Sequence, residues 1–485
     1  MNISAFIPEI IVLAGACTIL LLGIINFPYR KLVLWVLGLL VPIIALIALL
    51  TSSQVIYPAG TLFTHDGFAI YSRALLLIVS TLVLLSSFDM FTLKSKHQDE
   101  FIFMLLTSCG GLMLLVGASH MLVVYLAIEL ASIPLYILAG FKYKDIASKE
   151  AVLKYFLLGA FASALTIYGI SLIFSTTASL AFSELMVKLS GTPLEIVGIV
   201  LLLAGLSFKI AAFPFHFWAP DVYEGAPTIS TAFISVAPKI GALVVLARFV
   251  GTGVGNTTLL QIIGWVVAGI SAFSMTFGNV AALWQTEVKR IMAYSSIAQI
   301  GYMLIAIVAI ALGKDVVTKS YGAYGILIYV TAYALMNIAV FSILNVVRKR
   351  YGGSTLDHFK GLSKQEPVLC VLMTIAMISL LGVPWLAGFW GKFSVFGAAI
   401  TGEQFWIVIL AVINSGISAF YYFGIVRAMY LEEREEPSIC CKTNWSMAQL
   451  CATICSVGTL IPIGLIPQLY EALKWASNSL FRIGG

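Results

Sequence analysis

Glu129, Lys209, Lys239 and Lys392 are ionisable residues set inside long apolar runs, and Lys154 lies near the start of another. Glu129 falls nine residues into the run 120–141, roughly 14 Å deep at 1.5 Å per residue. Lys239 falls eleven residues into the run 228–251, roughly 16 Å deep by the same rise. Lys209, Lys392 and Lys154 belong to runs beginning at 193, 367 and 150. A charge at mid-bilayer costs at least about 2.5–3.5 kcal/mol on insertion scales, so it needs a partner or a function. A lysine held out of water near a carboxylate can gain or lose its proton near neutral pH, and its charge then acts on its neighbours. That is the chemistry of a proton relay. For Lys154 the plainer reading is a surface pair with Glu150, four residues earlier. For Lys209 it is snorkelling of the long side chain toward an adjacent polar segment.

Prolines accompany these charges. Pro238 abuts Lys239, Pro214 follows Lys209 by five residues, Pro134 follows Glu129, and Pro384 with Gly388 and Gly391 leads into Lys392. Proline inside a helix removes a backbone hydrogen bond. Broken helices at membrane depth survive only where protein or a wet cavity receives the freed backbone. Charge beside a break, repeated in several runs, points to an internal hydrated path. Tyr294, Ser295, Ser296, Gln299, Tyr324, Tyr333 and Asn337 are candidate hydroxyls and amides to hold water along it.

The rest of the chain must place these residues in lipid. Of 485 residues 60% are hydrophobic and only 10% charged, against about 25% charged in soluble domains. Apolar runs separated by short polar, proline or glycine punctuation give about fourteen spans, the first at 4–27 and the last at 446–467. The chain is therefore read as an all-α integral membrane protein. The first run follows no basic segment, only Glu9, and reads as a span rather than a signal peptide. The tail from Pro467 to Gly485 reads as a short amphipathic end at the interface. Arg30, Lys31, Lys94, Lys96, Lys142, Lys144, Lys149, Lys289, Arg290 and the basic residues of 348–364 fall in alternate connectors. By the positive-inside rule these connectors are cytoplasmic, and with an even number of spans both termini face the other side. The run Glu432–Glu436 reads as a solvated helix end on the basic side. Net charge of +6 sits in those short loops, which fits topology and excludes a nucleic-acid partner. Cys17, Cys109, Cys370, Cys440, Cys441, Cys451 and Cys455 show no metal-ligand spacing and read as small apolar residues.

Residues 205–218, GLSFKIAAFPFHFW, and 382–393, GVPWLAGFWGKF, are both aromatic segments interrupted by proline or glycine and carrying one lysine. Paired broken helices in two halves are the sequence sign of an inverted-repeat transporter. Together with KIAAFPFHFWAPDVYEGAPT (209–228), QTEVKRIMAYSSIAQIGY (285–302) and YALMNIAVF (333–341), they resemble the antiporter-like subunits of respiratory complex I over nearly the whole chain. DVYEGAPT, Lys239 and Lys392 look like its N subunit, where the M subunit usually carries glutamate on helix 12 and the L subunit a long extra C-terminal helix.

The resemblance implies fourteen helices in two inverted five-helix repeats, with helices 7 and 12 broken. It divides the chain into 1–100 (helices 1–3), 101–251 (first repeat), 252–431 (second repeat) and 432–485 (helix 14 and tail). It implies that Glu129 and Lys209 form a charged pair, with Lys154 modulating Lys209, Lys239 as central relay, Lys392 as output site and His216 on the helix 7–8 connection. Gln299 departs from the histidine common in relatives and cannot titrate, though an amide still orders water. The implied function is proton translocation driven remotely by quinone reduction. The implied partners are a neighbouring M subunit, the small K and J subunits and lipid, in a bacterial inner membrane. No cofactor is expected on this chain, since NADH, FMN, Fe–S clusters and quinone belong to partner subunits in that family. A subunit of a multi-subunit cation/proton antiporter is the alternative, and a plain membrane scaffold a third reading.

Overall fold

The structure, a computed structural model, describes residues 3–25, 29–52, 62–88, 97–433, 446–461 and 466–481. Lys94, Lys96, Cys440, Cys441 and the Arg434–Glu436 end of the acidic run lie outside the described residues. The apolar runs fold as helices because a chain in lipid must satisfy every backbone polar group within its own segment.

In chain order the helices are α1 (Ile7–Ile24), α2 (Arg30–Thr51), α3 (Gly67–Ser87), α4 (Gln98–Val116), α5 (Met121–Ala139), α6 (Ile146–Thr177), the short α7 (Phe182–Lys188), α8 (Pro193–Ile210) and α9 (Trp218–Gly225). There follow α10 (Thr228–Arg248), α11 (Thr257–Ala282), α12 (Val288–Leu312), α13 (Val316–Tyr351), α14 (Pro367–Leu381), α15 (Ala387–Thr401), α16 (Phe405–Tyr430), α17 (Met447–Leu460) and α18 (Pro467–Phe481). Among the described residues twelve are long and apolar enough to cross a membrane, and α14 and α17 are shorter apolar helices at the places of the expected twelfth and fourteenth spans. The seventh span is α8 followed by α9, and the twelfth is α14 followed by α15, so helices 7 and 12 are the broken ones.

Side chains punctuate these helices. Asp66, Asp145, Asn256 and Asp315 accept from first-turn amides of α3, α6, α11 and α13. Thr192 with Glu195 and Ser446 with Gln449 form capping boxes at α8 and α17. Both breaks begin the same way. The residue after α8, Ala211, and the residue after α14, Gly382, take left-handed backbone at φ +59° and +90°. Proline then follows, at 214 and at 384.

Two expected interruptions do not occur. α5 runs unbroken through Pro134, and α10 through Pro238. Flanking turns and neighbouring helices hold each segment helical despite the lost donor and the crowding of the ring against the preceding turn. Charge beside a break is therefore a feature of two spans, not four.

The interior consists of α10, α12 and α13, whose most apolar windows are 100%, 94% and 89% buried, while those of α1 and α2 are 33% buried. The basic connectors converge on one end of the bundle. Glu287 pairs with Thr355 across two of them, Lys289 reaches the end of α9, and Gly361 N donates to Ala428 O. The tail helix α18 is not merely an interfacial end: Leu473, Ala476, Ser477 and Leu480 are buried as it packs on α3 and α13.

Candidate functional site

Helical spacing puts Glu129, Ser132 and Tyr136 on one face of α5, at i, i+3 and i+7. Lys209, in the last turn of α8, donates to Ser132 Oγ at 2.8 Å and to Tyr136 Oη at 3.2 Å. The half-buried Glu129 accepts instead from Ser163 of α6. Glu129 and Lys209 thus do not form the direct pair expected of them: two of the lysine's three donors go to Ser132 and Tyr136, and the carboxylate goes to Ser163. Beyond Lys209, a cavity with room for about one water is lined by Ser132, Leu135, Tyr155, Lys209, Pro238 and Ala242. Pro238, the neighbour of Lys239 in sequence, lines the same cavity.

Lys239 is 1% exposed. It donates to Ser296 of α12, to Tyr333 Oη of α13 at 2.9 Å, and to Tyr223 Oη of α9 at 3.4 Å. Three hydroxyls from three elements match the three N–H bonds of an ammonium, so the cation is held without a carboxylate. Asn337, one turn after Tyr333, donates to the Tyr333 carbonyl at 3.1 Å.

Ser295 faces the opposite way from Ser296 and bonds Tyr422 Oη of α16 at 2.5 Å. Tyr422 Oη also accepts from Gln299 Nε2 at 3.1 Å. Gln299 Nε2 donates further to Leu380 O at 3.0 Å, while its Oε1 accepts from Tyr329 Oη at 2.6 Å. Leu380 and Leu381 end α14, where the break leaves carbonyls exposed. Lys392, 5% exposed, donates to Leu381 O and to Ser415 Oγ, each at 2.8 Å. A helix C-terminus carries partial negative charge, so the open end of α14 favours that cation. The stem of Lys392 lies over Gly382, where an added Cβ would come 3.0 Å from Lys392 Cδ.

Exposures of 8%, 1% and 5% for Lys209, Lys239 and Lys392 rule out snorkelling. The arrangement can pass protons along hydroxyls and amides between cations that no carboxylate neutralises directly.

A family model described as NADH:quinone oxidoreductase/Mrp antiporter, TM, matches residues 118–418, which include all of these side chains but Tyr422. The NADH-quinone oxidoreductase subunit N of Rhodospirillum rubrum is 40% identical over 385 residues, 78% of this chain and 77% of the relative. The chain belongs to the NADH-quinone oxidoreductase subunit N family. A chain of respiratory complex I from Thermus thermophilus with bound aureothin is 31% identical and superposes with a TM-score of 0.79 over 95% of this chain and 98% of that one. A chain of the Mrp complex from Dietzia sp. is 19% identical with a TM-score of 0.83, over 99% and 98%, a likeness of fold. The protein is thus a multi-pass membrane subunit of a multi-subunit complex.

Other residues expected in this subunit N site lie elsewhere. Lys154 is 41% exposed in its side chain and bonds Glu150 and Asp221, each at 2.6 Å, rather than Lys209. Asp221 is shared with Arg290 at 2.9 Å, and Arg290 with Glu224 at 2.7 Å, so Lys154 belongs to a surface network at the basic end. His216 does lie on the helix 7–8 connection, buried among Phe213, Phe217 and Phe277 rather than beside a lysine. Tyr294 is half-buried against Phe277, and Tyr324 packs on Tyr321 and Tyr470.

Sequence reasoning missed Ser132, Tyr136, Ser163, Tyr223, Tyr329, Ser415 and Tyr422. The spacing from Glu129 could have found the first two. The others meet the site across helices, and nothing local marks them. Lys289 was read as a loop charge, yet it is 1% exposed and donates to Glu224 O and Ala226 O at the end of α9. Trp218 Nε1 similarly takes Phe208 O at the end of α8.

Proposed function

We propose that this chain is the proton-translocating N subunit in the membrane arm of an NADH:quinone oxidoreductase, with protons passing by way of Glu129, Lys209, Lys239 and Lys392. The observation that carries the reading is a pair of buried side-chain groups that meet on α12, Lys239 with Ser296 and then Ser295 with Tyr422 and Gln299, the second reaching the open end of α14 that Lys392 occupies. Residues 101–251 and 252–431 act as two antiporter-like halves. Each half contributes one broken span and one buried lysine beside its break. Glu129 and Lys209 serve the input side, Lys239 the centre and Lys392 the output. Ser295, Gln299, Tyr333 and Asn337 hold the line between them, and Tyr294 plays no part in it. Lys154 acts on Lys209 only at a distance, and His216 packs the connection.

The chain carries out no redox chemistry. NADH, FMN, Fe–S clusters and quinone are held by partner subunits, with an M subunit and the small K and J subunits as neighbours in the membrane. Its location is a bacterial inner membrane, basic connectors toward the cytoplasm and both termini away from it. Moving one charge against 100 mV takes about 2.3 kcal/mol, a cost that one or two pKa units at about 1.4 kcal/mol each can meet.

The test is Lys239→Ala in an assembled complex in sealed vesicles. Quinone reduction and ΔpH formation fall together. Normal ΔpH formation at wild-type assembly would refute the relay and favour a scaffold.

A further inference from the structure

A second ionic group lies at the end of the bundle opposite the basic connectors, outside the line of lysines. Glu9 of α1, Arg73 of α3 and Arg248 of α10 are each 2% exposed or less, His65 is 1% and Asp66 7%. The two carboxylates are held very unequally. Asp66 receives Arg248 through two bonds of 2.7 and 2.8 Å and also caps α3 by accepting from Ala69 N at 2.8 Å. Glu9 meets Arg73 Nε at 3.1 Å, and neither of its oxygens has a hydrogen-bond partner. A buried carboxylate with a single ionic contact keeps its charge only while that contact lasts.

Arg73 is shared. Its Nη1 lies 2.8 Å from His65 Nδ1, and its guanidinium carbon 4.3 Å from the Phe63 ring centroid. Guanidinium only donates, so His65 Nδ1 accepts and the ring proton sits on Nε2. Nε2 then donates to Ser52 Oγ at 3.0 Å, and Ser52 donates to Leu49 O at 2.6 Å. Burial first, and the Arg73 charge second, hold His65 down to about 4, so it stays neutral near pH 7. Among the described residues, the other elements packed on the group add no charge to it. α4 contributes Cys109, which bonds Leu76 O, and the Glu471 and Lys474 side chains of α18 face outward.

We propose that Glu9 is a proton-binding site whose occupancy is linked, through Arg73, Asp66 and Arg248, to the helix that carries Lys239. When Glu9 takes a proton, an O–H bond forms on its carboxyl and Arg73 loses its anion. Among the described residues the remaining anion of the group is Asp66, which Arg248 already holds and whose carboxyl the Arg73 charge also lowers. Asp66 then serves two guanidinium groups, and the clamp between α3 and α10 loosens. Arg248 sits nine residues beyond Lys239 on α10, so a shift of that clamp moves the helix on which the central lysine is mounted. Linkage is reciprocal: a change of charge at Lys239 that pulls on α10 alters how readily Glu9 binds its proton. On release the Glu9 O–H bond breaks, the proton passes to water, and the carboxylate takes Arg73 back.

The inference rests on the proton-translocating reading above, and its test separates the two. Glu9→Gln keeps shape and removes the titratable group. In the assembled complex it lowers the rate of ΔpH formation at least about fivefold, the lower bound of typical coupling between sites, and removes a carboxylic-acid band from redox-induced infrared difference spectra. Glu9→Asp keeps a carboxyl on a shorter arm, so it retains pumping and shifts its pH profile. Wild-type pumping in Glu9→Gln with no band lost, or an unshifted profile in Glu9→Asp, overturns the inference. If Lys239→Ala abolishes pumping in the same experiment, the wider reading stands without it. If Lys239→Ala also pumps normally, both fall. Should Glu9→Gln not assemble, the Glu9→Asp profile decides alone.

Discussion

Gln299 Nε2 and Tyr422 Oη lie 3.1 Å apart and tie α12 to α16 at the level where α14 ends. The amide joins three helices at once, through Tyr422, Leu380 O and Tyr329. Gln299→Leu keeps the volume and loses all three bonds, leaving a hydroxyl and a carbonyl buried and unpaired at about 1–3 kcal/mol each. Pumping in vesicles is expected to fall about tenfold or more, since each 1.4 kcal/mol of barrier is a decade of rate. Gln299→His, which restores a titratable ring, is expected to pump at least as well as the wild type. A Leu variant with full ΔpH formation would make Gln299 a packing residue.

Lys239 gives two of its bonds to Tyr333 and Tyr223. Tyr333→Phe and Tyr223→Phe each remove one acceptor and leave the lysine with Ser296 and the other tyrosine. Each single variant is expected to slow proton transfer by roughly three- to tenfold, at about 1 kcal/mol per bond. The double variant should lose more than the product of the two, because bonds in one buried network support each other. Stopped-flow acidification of vesicles reads this directly. A multiplicative result would mean that the two hydroxyls act independently.

The lysines, the spans and the two broken helices were legible because charge inside a long apolar run, and a Pro/Gly interruption beside it, are local and costly features. Pro134 and Pro238 misled for the same reason: a missing donor is visible in sequence, but whether the helix bends depends on what packs around it. Glu129 and Lys209 were expected to touch, since opposite charges attract. Spacing puts Ser132 and Tyr136 on the Glu129 face, but that Lys209 meets these hydroxyls rather than the carboxylate is set by packing between α5 and α8. Arg73 and Arg248 passed unremarked although both are buried. Each lies near the end of an apolar run, where an arginine ordinarily reaches water, and the partners Glu9 and Asp66 are remote in sequence.

The break in the twelfth span depends on the absence of a side chain at Gly388. A Cβ there would lie 1.8 Å from Ser379 O, while Gly388 N donates to Ser379 Oγ at 3.2 Å. Gly388→Ala must push α15 off α14, at about 1–3 kcal/mol or more for overpacking, and should lower both the yield of assembled subunit and its thermal midpoint. Gly416 and Gly424 of α16 have nothing within 4 Å of an added Cβ. Gly416→Ala and Gly424→Ala are therefore expected to be neutral, or to stabilise by about 0.5–1 kcal/mol. Equal midpoints for all three alanine variants would contradict the close approach of α14 and α15.

The bidentate pair between Asp66 and Arg248 sets an acid limit on stability. Burial alone would raise the Asp66 carboxyl, but Arg248, its hydrogen bonds and the Ala69 amide outweigh that and hold it below its ordinary 3.8. A group whose value is lowered on folding contributes stability fully above the unfolded value and loses it as pH falls through the folded one. Asp66→Asn leaves Arg248 buried without its anion, so at pH 7 it is expected to cost about 3–5 kcal/mol. The gap between wild type and variant should persist down to about pH 4 and close only below it, as the wild-type carboxylate takes up its proton. Thermal unfolding of the detergent-purified complex from pH 7 downward follows that gap. A gap that closes already between pH 6 and 5, or that is absent at pH 7, would show that Asp66 is not the anion that holds α10 to α3.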